Sequence, residues 1–113
     1  MGPATTKLYF AGEEMCKQRN YDCRILYKLK SLFEQNERLE DIHEERRSIE
    51  FGIKTGKLGL AAIDNVKSGY RNVRDITEPI LGVTSEEYNV LLDTMAKELR
   101  DLNSYYHINR VYA

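Results

Sequence analysis

From Ile25 to Ile53 the chain repeats one pattern. Ile25, Leu29, Leu32, Asn36, Leu39, Ile42, Arg46, Ile49 and Ile53 follow one another at alternating steps of four and three residues. This is the spacing of a heptad-like seam along one face of an α-helix, and Glu and Arg crowd the remaining faces. The pattern predicts one continuous helix over about residues 22–52, roughly 46 Å long at about 1.5 Å per residue. Asn36 and Arg46 interrupt the seam. A polar seam residue can set register or partner number at a cost in stability. The other reading of Asn36 is a residue that meets solvent where the helix leaves its contact.

Three shorter helices are expected around it. Leu8, Ala11 and Met15 share one face of a helix over about residues 5–19, with Thr5 or Thr6 as its cap. Asn20 and Asp22 in "NYDC" (20–23) then break the chain. Gly52, Gly56 and Gly59 each weaken a helix by about 1 kcal/mol relative to Ala, so a turn is expected there. A third helix over about residues 58–76 directs Leu58, Ala62, Val66, Val73 and Ile76 inward. Pro79 resists burial in a helix interior, which reads "TEPILG" (77–82) as a connector. The strongest start signal is "VTSEEY" (83–88). Thr84 and Glu87 suit a capping box, and Val83 and Tyr88 a hydrophobic staple. The helix that follows, over about residues 85–106, turns Tyr88, Leu91, Leu92, Met95, Leu99, Leu102 and Tyr106 inward.

No segment alternates with period two over more than four residues, so no sheet is expected. The expected architecture is all-α: a single helical domain over residues 1–113, built as a three- or four-helix antiparallel bundle. One charged helix of about 30 residues overhangs its neighbours. Its overhang leaves Leu39, Ile42, Ile49 and Phe51 uncovered and in need of a partner.

A chain of 113 residues fits one domain. Its apolar share of 42% and charged share of 31% suit a globular protein rich in amphipathic helix. No apolar run approaches the ~20 residues that span a bilayer, and "MGPATTKLYF" has no signal-peptide core, so an intracellular, cytoplasmic protein is expected. Gly2 and Thr6 meet the myristoylation pattern formally, but Pro3 stiffens the segment an acyltransferase would grip. The net charge of −1 gives no global attraction to nucleic acid or acidic lipid. Locally, residues 34–50 sum to −4 (seven acids, three arginines) and residues 54–74 to +4 (five bases, one acid). Cys16 and Cys23 would lie ~10 Å apart along a continuous helix, too far for a disulfide without a sharp turn. They read as two reduced thiols.

Chemical motifs are incomplete. A phosphate loop needs Gly-x-x-x-x-Gly-Lys-[Ser/Thr] after a strand. The stretch from Gly52 to Lys57 is one residue short, and Leu58 stands where the hydroxyl belongs, so its glycines, with Lys54 and Lys57, read as a turn. Glu40 and His43 have di-iron spacing on a helix, but Ser104 stands where a second Glu would precede His107. A zinc site would need Cys16, Cys23, His43 and His107 to converge, which no spacing enforces. "DITEPILGVTSEEYNVLL" resembles a helix-turn-helix superficially, yet acids lead its would-be recognition helix.

These readings lead to a binding protein rather than an enzyme, with no cofactor, metal or membrane contact. The expected role is an adaptor, inhibitor or regulator, of phage or mobile-element character by its size. Its contacts would be Leu39, Ile42, Arg46, Arg47 and Ile49 on the long helix, used for another protein or for self-association in a coiled coil. The tail adds Tyr105, Tyr106 and Arg110, residue types enriched at hot spots. The alternative is a nucleic-acid-binding regulator using Lys67, Tyr70, Arg71 and Arg74. A helical-bundle metal protein or enzyme is the third class.

Overall fold

The computed structural model describes residues 2–52, 56–102 and 104–113. Along the chain it forms α1 (Pro3–Gln18), a 3-10 turn (Ile25–Tyr27), α2 (Leu29–Glu34), β1 (His43–Glu50), α3 (Gly56–Asn72), α4 (Arg74–Leu81), α5 (Ser85–Asp101) and β2 (Tyr105–Tyr112). Ile53, Lys54 and Asn103, which figure in the seam, the glycine turn and the tail, lie outside the described residues.

The core is assembled by α1, α3 and α5. Tyr88, Leu92, Met95 and Leu99 recur at helical spacing on α5 and are buried against Leu8 of α1 and Ile63 of α3. Phe51, Val66, Tyr70, Leu81, Val83, Leu91 and Ala96 pack around them. Each large apolar side chain so buried contributes about 1.5–3 kcal/mol. The start of α5 is set locally, because the predicted capping box forms. Glu87 N–H donates to Thr84 Oγ1 (3.2 Å), and Thr84 N–H donates to Glu87 Oε1 (3.3 Å).

Other helix ends are closed from a distance. Pro3 sits at the first helical position of α1, and no side chain near it caps the helix. Instead Glu98 of α5 takes the amides of Ala4 (3.1 Å) and Thr5 (2.8 Å) and the Thr5 hydroxyl (2.8 Å). The carboxylate fills the space a Cβ on Gly2 would need. α1 ends in a Schellman motif: Asn20, at φ 58°, turns the chain, with Tyr21 N–H on Cys16 O (2.8 Å) and Asn20 N–H on Lys17 O (3.2 Å).

The two strands pair antiparallel, with His43 opposite Tyr112 and Glu50 opposite Tyr105. Helices α3 to α5 lie between them in sequence, so the two-stranded ribbon is the outward continuation of the α3–α5 pair. Its base is pinned where Phe51 N–H donates to Ser104 O (3.0 Å). The radius of gyration is 16.5 Å, against about 13 Å for a compact chain of this length. The envelope measures 51 × 36 × 19 Å, so the molecule is elongated and flat.

The expected all-α bundle is therefore overturned: the fold is mixed, a helical majority with a two-stranded sheet. The 22–52 helix does not exist. Its span holds the 3-10 turn, the six-residue α2 and β1, and the longest helices have 17 residues. The coiled-coil seam goes with it, since Ile25 and Leu32 are exposed while Leu39, Ile42, Ile49 and Phe51 are half-buried. Asp41 at φ 53° breaks any helical path, and residues 105–112 supply a strand partner that outweighs the helix propensity of Glu and Arg. The 85–106 helix stops at Asp101. Leu102 is exposed and Tyr106 belongs to β2. Leu58, expected inward, is exposed. Pro79 lies inside α4, because the helix closes three residues later on Gly82 at φ 65° and the missing N–H frees only a carbonyl near solvent.

Candidate functional site

The ribbon brings together two stretches that the sequence offered separately. Arg46, Arg47 and Ile49 lie on β1, Tyr105, Tyr106 and Arg110 on β2, and Ile42 immediately precedes β1. Leu39 sits in the turn before it. Residues directly opposite across the ladder share a face, which divides these residues into two sets.

One face carries Glu44, Arg46, Ser48, Glu50, Tyr105, His107, Asn109 and Val111. It is partly covered by the 3-10 turn and α2. Asn109 donates its amide to Leu26 O (2.8 Å) and Glu44 Oε2 (3.2 Å). The Arg46 guanidinium lies 5.7 Å from the Tyr27 ring centroid and 3.4 Å from Glu44. Ser48 Oγ meets His107 Nδ1 at 3.1 Å. Arg46, itself exposed, is thus held against the arm by Glu44 and Tyr27. Tyr105 remains exposed near the base.

The other face carries His43, Glu45, Arg47, Ile49, Tyr106, Ile108, Arg110 and Tyr112. At its base Tyr106 lies against Phe51 in a tilted ring contact (5.0 Å), and Phe51 in turn packs on the helical core. Toward the tip the face is open. Ile108 is 45% exposed opposite Arg47, and Glu45 stands opposite Arg110. These four line a shallow hollow of about 240 Å³. The tip is stiffened by rings: His43 stacks on Tyr112 at 5.1 Å, and Arg110 lies 4.7 Å from the same ring's centroid. Ile108, Glu45 and the His43–Tyr112 stack escaped the sequence reading as contact residues. The signal was composition: residues 105–112 are rich in aromatic and β-branched side chains (Tyr105, Tyr106, Ile108, Val111 and Tyr112), as strands are.

The basic stretch behaves differently. Lys67 is paired with Asp93 at 2.7 Å. Tyr70 is half-buried, and burial, with the neighbouring Tyr88, pushes its phenol up to about 12. Arg74 bonds Glu78 (2.8 Å), Ser85 O (3.1 Å) and Asn89 (2.9 Å) and lies 5.2 Å from the Tyr88 ring centroid. Only Arg71 of the four stands exposed without such ties. Glu40 and His43 share no helix, and among the described residues no group of three or more His, Cys, Asp or Glu is placed to hold a metal ion. Among the described residues no helix is long and apolar enough to cross a membrane.

Compared with protein-family models, with curated proteins and with solved structures, the chain matches none.

Proposed function

We propose that the protein is a binding module, an adaptor, inhibitor or regulator, that engages another polypeptide through the open face of its ribbon. The observation that carries this reading is the exposed Ile108 framed by Arg47, Arg110 and Glu45 on an arm outside the main helical core. An exposed aliphatic centre with arginines and an aromatic stack at its border is the composition of a protein contact. Ribbon charge points the same way. Three glutamates and three arginines cancel over the two strands, so no positive field favours a phosphate backbone. Within the alternative patch, Lys67 and Arg74 are committed to internal partners. An intracellular, cytoplasmic setting is part of the reading, supported by the two unbridged cysteines.

The test compares the wild type with an Arg47→Glu/Ile108→Thr variant as baits in affinity capture from the producing cells. Thr keeps the strand propensity, and circular dichroism checks that the ribbon survives. A partner retained by the wild type and lost by the variant supports the reading; equal capture by both overturns it. A salt titration with DNA and RNA covers the nucleic-acid alternative, which requires binding at low salt that falls steeply as salt rises.

A further inference from the structure

We propose that Cys16 and Cys23 form a dithiol site that exchanges with low-molecular-weight disulfides of the glutathione type and closes into an intramolecular bond. In a continuous helix the two residues would be far apart. The Schellman motif at the end of α1 removes that separation, because its closing bond runs from Tyr21 N–H to the carbonyl of Cys16 itself. Asp22 then accepts from Arg24 N–H (2.9 Å) and pairs with Lys28 (2.8 Å), so the chain folds back along the last turns of α1. Cys23 Sγ donates to Glu13 O at 4.0 Å, less than one turn before Cys16 on α1, and the two cysteines line the same cleft.

Both thiols are free and reachable. Cys23 is exposed. Cys16 is half-buried, but it lines, together with Cys23, an open cleft of about 380 Å³ walled by Tyr9, Val66, Tyr70 and Val73. The hydrogen bond to Cys16, then burial, pushes the Cys23 thiol up to about 11. At neutral pH Cys23 therefore keeps its proton, and the first attack is assigned to Cys16, a thiol on the cleft wall.

The exchange balances without a further reagent. The Cys16 thiolate attacks one sulfur of the small disulfide, forming a mixed disulfide and expelling one small thiolate. Cys23 gives up its proton and attacks the Cys16 sulfur, forming the internal bond and expelling the second small thiolate. Two protein thiols are oxidised, one small disulfide is reduced to two thiols, and the released thiolates take up the protons. The bond would tie the end of α1 to the segment whose Leu26 carbonyl holds Asn109 of the ribbon.

The test equilibrates the full chain in graded mixtures of glutathione and glutathione disulfide, alkylates the free thiols, and reads intact mass and peptide maps. The expected oxidised wild type is a monomer that has lost two hydrogens, carries no glutathione and yields a Cys16–Cys23 linked peptide. Cys16→Ser and Cys23→Ser, each unable to complete the second step, should accumulate one stable glutathione adduct. Glutathione on both wild-type thiols, a bond between two copies, or no oxidation in the most oxidising mixture would each overturn the proposal.

Discussion

The hydroxyl of Tyr88 donates to the backbone carbonyl of Tyr70 across 2.7 Å. The bond closes the last turn of α3 from a side chain on α5. The chain breaks at Val73, so Tyr70 takes a side-chain donor at a point where the helix is ending. Thr77 of α4, fully buried, meets the same phenol oxygen at 2.7 Å and also reaches Val73 O (3.1 Å). One phenol thus joins three helices.

Removing only that hydroxyl, as Tyr88→Phe, keeps the ring in the core and strands the Tyr70 carbonyl. The expected loss is about 1–3 kcal/mol of unfolding free energy. Urea denaturation should show it as a lower midpoint at unchanged slope. A midpoint equal to the wild type's would mean the relay contributes nothing.

Glu98 should impose a pH dependence on stability. Burial raises the Glu98 carboxyl, but the Thr5 amide, the Thr5 hydroxyl and the Ala4 amide outweigh it and hold the group below its ordinary value of 4.5. The unfolded chain therefore binds this proton more readily than the folded one. The stabilisation is fully present above that ordinary value and fades as pH falls through the lower folded value. Glu98→Gln should be less stable than the wild type at pH 7, with the gap narrowing under acid. Thermal melts from neutral to acid pH check this, and a gap that widens on acidification would reverse the assigned sign.

Gly52 admits no side chain. Its φ is 108°, outside what L-residues adopt without strain, and an added Cβ would lie 2.8 Å from the carbonyl oxygen of Arg100. Gly52→Ala should destabilise by about 2 kcal/mol or more, whereas Gly56→Ala, at φ 61° with nothing within 4 Å, should lose only the smaller left-handed penalty. Comparing the two melting temperatures separates close approach from backbone strain.

Asn109→Ala should loosen one segment and spare the core. Both of its donated bonds reach outward from β2, to Leu26 O and to Glu44. Hydrogen exchange should quicken across residues 25–34 while the amides of α5 keep their protection. Uniform acceleration over the whole chain would show that the contact is global rather than local.

What was legible in the residues was what neighbours in sequence settle between themselves. Thr84 and Glu87 are three apart and close their box without help. Tyr88, Leu92, Met95 and Leu99 show their common face by spacing alone. Leu8 and Ala11 do the same for α1, while Met15, read onto that face, is only half-buried. Of the proposed contact face, Arg47 and Arg110 were named beforehand, but as parts of a helix and a tail. Their adjacency was not readable, because it depends on pairing across more than sixty positions, as for Glu45 and Arg110.

The amino-acid sequence alone determined a helical majority, the faces of α1 and α5, the capping box, and the break at Asn20 and Asp22. Tertiary structure decided the rest. "HEERRSIE" carries charged residues on both faces and so shows no period of two, while its Glu and Arg favour helix. Only the arrival of "YYHINRVY", rich in aromatic and β-branched residues, offers its backbone a complete set of hydrogen-bond partners. That partner reaches it because α3 and α5 bring Gly52 against Arg100. The strand is a property of the meeting, and no local window of the chain contains both participants.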